Sequence, residues 1–174
     1  MAAERSDLEI ARNRSRHLFS EFLMSLIIVS GVLAFVPSGM TKNGTQAMPT
    51  DWAQITGWTA DVGNYPGSVV VPPNNSGLKA LGTKQPASIA AAVKFTGASE
   101  GWGGVTTLRV RVRVNSTVVA ASDPINGPDG TLLLNTPANI AEGDVVTVEC
   151  MATVQSGGQA GTISSGATTY LRIL

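Results

Sequence analysis

With 174 residues, the chain has room for one domain of ordinary size plus an appendage, and too few for two well-cored domains. The formal net charge is zero and only 14% of residues are charged, which argues against nucleic acid as a partner and leaves little of the charged surface that keeps a free monomer soluble. A single cysteine, Cys150, and a single histidine, His17, argue against an internal disulfide, a Cys/His zinc site within one chain and a Ser-His-Asp constellation, so neither an enzyme nor a cofactor is expected.

Ser6, Asp7, Leu8 and Glu9 have the form of a capping box, and no proline follows until Pro37. The first 36 residues are therefore expected to hold one long helix of about thirty residues, roughly 45 Å. Its second half, Phe22 to Val36 (FLMSLIIVSGVLAFV), is uncharged and apolar on every side, so it must be buried in something. The expected assembly positions are Leu18, Phe22, Leu26, Val29, Val32, Leu33 and Val36. Leu18, Phe22, Val29, Val32 and Val36 belong to a run spaced alternately by three and four, the seam of a coiled coil. The competing burial is a bilayer, with Arg12, Arg14 and Arg16 on the cytoplasmic side. The long leader of mixed charge speaks against a cleaved secretory signal.

Residues 37–51 (PSGMTKNGTQAMPTD) read as a linker. From residue 52 to 174 the period changes to two, and eight short strands are expected: 52–60, 68–71, 87–95, 105–114, 117–121, 130–134, 144–154 and 168–174. The fold class is thus mainly β, an antiparallel jelly-roll sandwich preceded by one long apolar helix. Along 108–114, Leu108, Val110, Val112 and Val114 face one way and Arg109, Arg111 and Arg113 the other. A two-residue turn at Asn115 and Ser116 would join this strand to the next. Cys150 falls on the apolar face of the 145–152 strand as a small core residue.

The row Arg109, Arg111, Arg113 is expected to be a solvated outer face, or else a contact for anionic glycans or a neighbouring subunit's carboxylates. Trp52, Trp58 and Trp102, with Tyr65, form either a carbohydrate platform or part of a core or interface, and Trp52 and Trp58 share a face if 52–60 is one regular strand. The segment DPINGPDG, with Asp123, Asn126 and Asp129, reads as turns rather than a calcium loop, so no metal is expected. Asp123, Asp129 and Glu142 are the only carboxylates offered for a glycan hydrolase, and nothing in their spacing singles out a pair.

The runs AAAVKFTG (90–97), TTLRVRVRVNSTVVAAS (106–122), ANIAEGDVVTVECMATV (138–154) and GATTYLRIL (166–174) resemble the jelly-roll domains of actinobacteriophage minor tail proteins, which are similar in layout to the trimeric heads of the complement and tumour-necrosis-factor type. The resemblance covers residues 52–174; the apolar helix lies outside it, and the turn at Asn115 lacks the glycine of the pattern. It implies a homotrimeric structural component of a phage tail, located in the virion, with other tail proteins as partners and a host-envelope glycan or membrane as the surface contacted. The alternative is a cell-surface adhesive protein held by a single amino-terminal membrane anchor.

Overall fold

The computed structural model describes residues 34–104 and 106–174. The assembly positions Leu18, Phe22, Leu26, Val29, Val32 and Leu33, and with them the body of the expected helix, lie outside the described residues. Val36 is not helical: its N–H donates to the Leu81 carbonyl at 3.0 Å in an isolated β-bridge. The helical reading therefore ends before residue 34, because the chain is already pairing with the sandwich ahead of Pro37.

In chain order the strands are β1 (Ser38–Lys42), β2 (Gln46–Ala47), β3 (Ala53–Gln54), β4 (Trp58–Ala60), β5 (Val69–Val70), β6 (Gly77–Lys79), β7 (Lys84–Ser99), β8 (Thr107–Val114), β9 (Thr117–Ala121), β10 (Ile125–Asn126), β11 (Gly130–Ile140), β12 (Val145–Thr153), β13 (Gln159–Ile163) and β14 (Gly166–Ile173). They build two antiparallel sheets. In the first, β7 carries β11 along one side and β14 followed by β13 along the other; β1 and β4 continue outward from β14, and β2 from β13. In the second, β8 and β12 form the centre, flanked by β9 and β10 on one side and by β3, β6 and β5 on the other.

The core follows from strand alternation. Leu108, Val110, Val112 and Val114 of β8 and Val146, Val148, Cys150 and Ala152 of β12 turn inward against Ile89, Ala91, Val93 and Phe95 of β7 and Leu171 and Ile173 of β14. Each large side chain hidden this way contributes about 1.5–3 kcal/mol.

Two expectations about the amino-terminal third are corrected. Residues 37–51 are not a linker, since β1 sits inside the first sheet between β14 and β4. SGMTK shows no apolar alternation because it is buried through backbone pairing on both edges, with Met40 as its one large core residue. Residues 52–60 are not one strand either: β3 joins the second sheet and β4 the first, and the chain crosses between them at Gly57, whose φ is 67°. Trp52 and Trp58 accordingly do not share a face.

The β8–β9 hairpin closes at Asn115 and Ser116, as the sequence suggests, with φ at Asn115 of 52°. Asn115 keeps this left-handed position although the glycine of the pattern is replaced by Ser116, because its amide has partners: Nδ2 donates to Asp144 Oδ1 at 2.8 Å, and Oδ1 accepts from the Val145 N–H at 3.0 Å. Asn115→Ala is expected to lower stability by about 1–2 kcal/mol in urea unfolding, while Asn115→Gly, which keeps the backbone but not the two bonds, falls between. Equal stabilities for all three proteins would contradict this account.

Candidate interaction surfaces

The arginine row lies on the outer face of the second sheet, but two of its members are already engaged. Glu149 stands opposite Arg111 on β12 and is 5% exposed. Its Oε2 lies 2.5 Å from Arg111 Nε and its Oε1 2.9 Å from Arg113 Nη1. Burial on its own raises the Glu149 carboxyl, yet the hydrogen bonds from Arg113 and Arg111, together with their charges, outweigh it and hold the group below the ordinary carboxylate range. The Arg111 guanidinium also lies 4.3 Å from the centroid of the Trp52 ring. Only Arg109 is exposed and without an ion pair among the described residues.

The aromatic residues occupy separate surroundings rather than one platform. Trp52 is half-buried beneath Arg111. Trp58 is 1% exposed, and its Nε1 donates to the Ile55 carbonyl at 2.7 Å, so the expectation of a surface contact there is corrected to a core role. Trp102 is the opposite case, 98% exposed at the turn between β7 and β8. Tyr65 lies over Gly39, where a Cβ would come within 2.5 Å of Tyr65 Cδ2.

A further surface was not marked by the sequence. On the outward side of the first sheet, register aligns Leu133 of β11 with Ala92 of β7 and Tyr170 of β14, and Asn135 with Ala90 and Arg172. The Arg172 guanidinium lies 4.0 Å from the Tyr170 ring centroid and 5.6 Å from that of Tyr65. Leu133 is 66% exposed. None of the seven strands of this sheet contains an acidic residue. At one end of the face, Lys84, Pro86, Ser88, Asn135, Pro137 and Leu174 line an open cavity of about 550 Å³. Small residues such as Ala90 and Ala92 give no periodic signal, so only the three-strand register reveals the face.

Cys150 is fully buried, and its thiol is pushed up to about 12 by that burial and by the Glu149 charge, which removes it as a nucleophile at neutral pH. Asp129 Oδ1 accepts from the Gly97 N–H at 3.1 Å and serves the loop. Asp129 and Glu142 lie just beyond opposite ends of the 11-residue β11, roughly 35 Å apart. Paired glycosidase carboxylates need to be within ~10 Å. Among the described residues, no group of three or more His, Cys, Asp or Glu side chains could hold a metal ion. There too, no helix is long and apolar enough to cross a membrane.

No protein-family model matches the chain, and no curated protein matches it. Among solved structures it is similar to Eiger TNF from S. frugiperda, with a TM-score of 0.52 and 8% identity over 80% of this chain and 90% of that one. It is also similar to murine APRIL at pH 5.0, with a TM-score of 0.54 and 11% identity over 80% and 98%, and at pH 8.5, with 0.52 and 10% over the same shares. At such identities the likeness concerns the fold alone, and it shows the described part of the chain to be an antiparallel β-sandwich of the TNF-like jelly-roll kind.

Proposed function

We propose that this chain is a structural, non-enzymatic component of a bacteriophage tail, a minor tail or tail-tip protein, that assembles as a homotrimer and presents its β-sandwich for tail assembly or host-surface contact. The observation that carries the trimer is the outward face of the first sheet. Its strands lack acidic residues, its centre is built from Ala90 and Ala92, and it carries the exposed Leu133 beside the half-buried Tyr170–Arg172–Tyr65 stack. Aromatic and arginine side chains over small residues make a surface suited to close packing against copies of itself. The virion placement is supported by the four sequence runs quoted above and by the twelve uncharged residues from Phe22 to Leu33, ahead of the stretch that joins the sandwich, which would be covered by their own copies and by companion tail proteins. The same residues favour a second reading, a membrane-anchored adhesive protein at the cell surface.

Native mass spectrometry of the full chain in mild detergent tests the assembly. The expected species is near three times the 18.0 kDa chain mass. The double variant Leu133→Asp, Tyr170→Asp is expected to raise the dissociation concentration by about 100-fold, the effect of losing a hot spot worth more than 2 kcal/mol. A monomeric wild type, or a variant that dissociates like wild type, would overturn the trimer. Co-purification with virions without detergent supports the tail assignment; a requirement for detergent, with recovery in the cell membrane fraction, replaces it with the anchored reading.

A further inference from the structure

We infer that the Trp102 turn is a binding site for a neutral saccharide, with the indole face as the stacking surface. The inference deepens the host-contact reading, on which it rests for the kind of surface where such a sugar would be met. The site itself does not depend on the number of subunits.

The indole is 98% exposed, yet its backbone is held firmly. Gly101 and Gly104 exchange N–H···O bonds of 3.0 and 3.1 Å, closing a two-residue turn around Trp102 and Gly103, and the Trp102 N–H donates to the Ser156 carbonyl at 2.7 Å. The loop before β13 is packed directly beneath. A Cβ at Gly101 would collide with the Ser156 carbonyl oxygen, so only glycine allows the two backbones to meet. At Gly157, where φ is 82°, a Cβ would come within 2.7 Å of Trp102 Cδ1. The Thr106 hydroxyl donates to the Ser99 carbonyl at 2.6 Å and ties the base of the turn. Such a turn holds the backbone from which a large, amphipathic ring projects, so that binding has less of the loop to order.

The surroundings select the ligand. Between Thr153 and Leu171 no charged residue occurs, and between Phe95 and Leu108 the only one is Glu100. The half-buried Gln155 brings Oε1 beside Gly103, where a Cβ would be 3.1 Å away, and Ser156 is exposed next to it. An amide, a hydroxyl and open glycine backbone beside an aromatic face match the alternating hydroxyl and C–H surfaces of a pyranose. Neither of these two segments carries a Lys or Arg to hold an anionic glycan or anionic lipid. A lone tryptophan among Gly, Ser and Gln also lacks the apolar area of a membrane-inserting element.

The chain joins the sandwich where Val36 bridges Leu81 and where Phe35 lies under Lys84, 5.1 Å from its Nζ to the ring centroid. β7 runs from Lys84 to Ser99, roughly 50 Å at 3.3 Å per residue, so Trp102 stands at the end far from that entry.

The test uses the full chain on an array of immobilised neutral hexose and N-acetylhexosamine oligosaccharides, with uronate- and phosphate-bearing glycans as an anionic set and phosphatidylcholine vesicles as a lipid arm. Retention on neutral glycans is expected, weakened at least about tenfold by Trp102→Ala, partly kept by Trp102→Tyr and unchanged by Glu100→Gln. No retention on any neutral glycan, retention indifferent to Trp102→Ala, or binding confined to the anionic set or to vesicles would each overturn the inference. Native masses recorded on the same samples separate the two proposals. A monomer with Trp102-dependent binding refutes the trimer alone, and a trimer that ignores neutral glycans refutes the saccharide site alone.

Discussion

Trp58→Ala is expected to lower the unfolding free energy by about 3–5 kcal/mol, a large share of the ~5–15 kcal/mol that holds a typical domain together. The indole is 1% exposed and sits on β4, which pairs with β1 inside the first sheet. Its removal leaves a cavity between the sheets and also strips the Ile55 carbonyl of its 2.7 Å donor. Trp58→Phe weights the two contributions differently: it keeps most of the apolar area and loses the hydrogen bond with a smaller part of the volume, for an expected ~1–3 kcal/mol. Trp102→Ala, at the exposed turn, should stay within ~0.5 kcal/mol of wild type. Urea unfolding of the three variants reads these differences directly as shifts in midpoint. Should Trp58→Ala unfold near the wild-type midpoint, the indole is not the inter-sheet support that its burial indicates.

The contrast between these two tryptophans shows where the sequence could be read and where it could not. Both lie among Gly and Thr in short polar segments, and local pattern gives no means of sorting one into the core and the other into solvent. The break at Gly57 decides it for Trp58, because the positive φ there swings it into the first sheet, and the turn closed by Gly101 and Gly104 decides it for Trp102. By comparison β8 was legible because apolar residues alternate with polar ones over all eight positions, and β12 because the same alternation runs from Val146 to Cys150. β1, β6 and β13 carry Gly, Ser, Gln or Lys and owe their place to backbone pairing with neighbours far along the chain, which leaves no period to detect. The sixteen-residue β7 extends beyond the expected 87–95 at both ends, across Pro86 and Gly97, residues that ordinarily mark a stop. The three arginines were visible as a row, but their partner was not. That Glu149 lies against Arg111 depends on the β8–β12 register, a non-local fact.

That register makes Glu149 the polar residue whose loss is expected to matter most. Glu149→Gln removes the charge facing two guanidiniums while nearly keeping the shape. Breaking a buried pair from one side typically costs about 3–5 kcal/mol. Here the Arg111 and Arg113 side chains are 23% and 28% exposed and can recover some hydration, so about 2–3 kcal/mol is expected. The pH dependence has a definite sign. Because the folded carboxyl is held below its ordinary value, the contribution is fully present above the ordinary carboxylate range, where folded and unfolded chains are both ionised. As pH falls through that range, near ~4.3, the unfolded chain takes up its proton first, and the contribution is gone below the folded value. Stability of wild type should therefore fall more steeply than that of Glu149→Gln between about pH 5 and 3, and the gap between them should close at the acid end. The triple variant Arg111→Met, Glu149→Leu, Arg113→Met, which leaves no charge stranded, should regain much of the loss. Parallel pH profiles for wild type and Glu149→Gln would mean that the outer face of the second sheet is held by packing of Trp52 and the arginine stems rather than by the buried carboxylate.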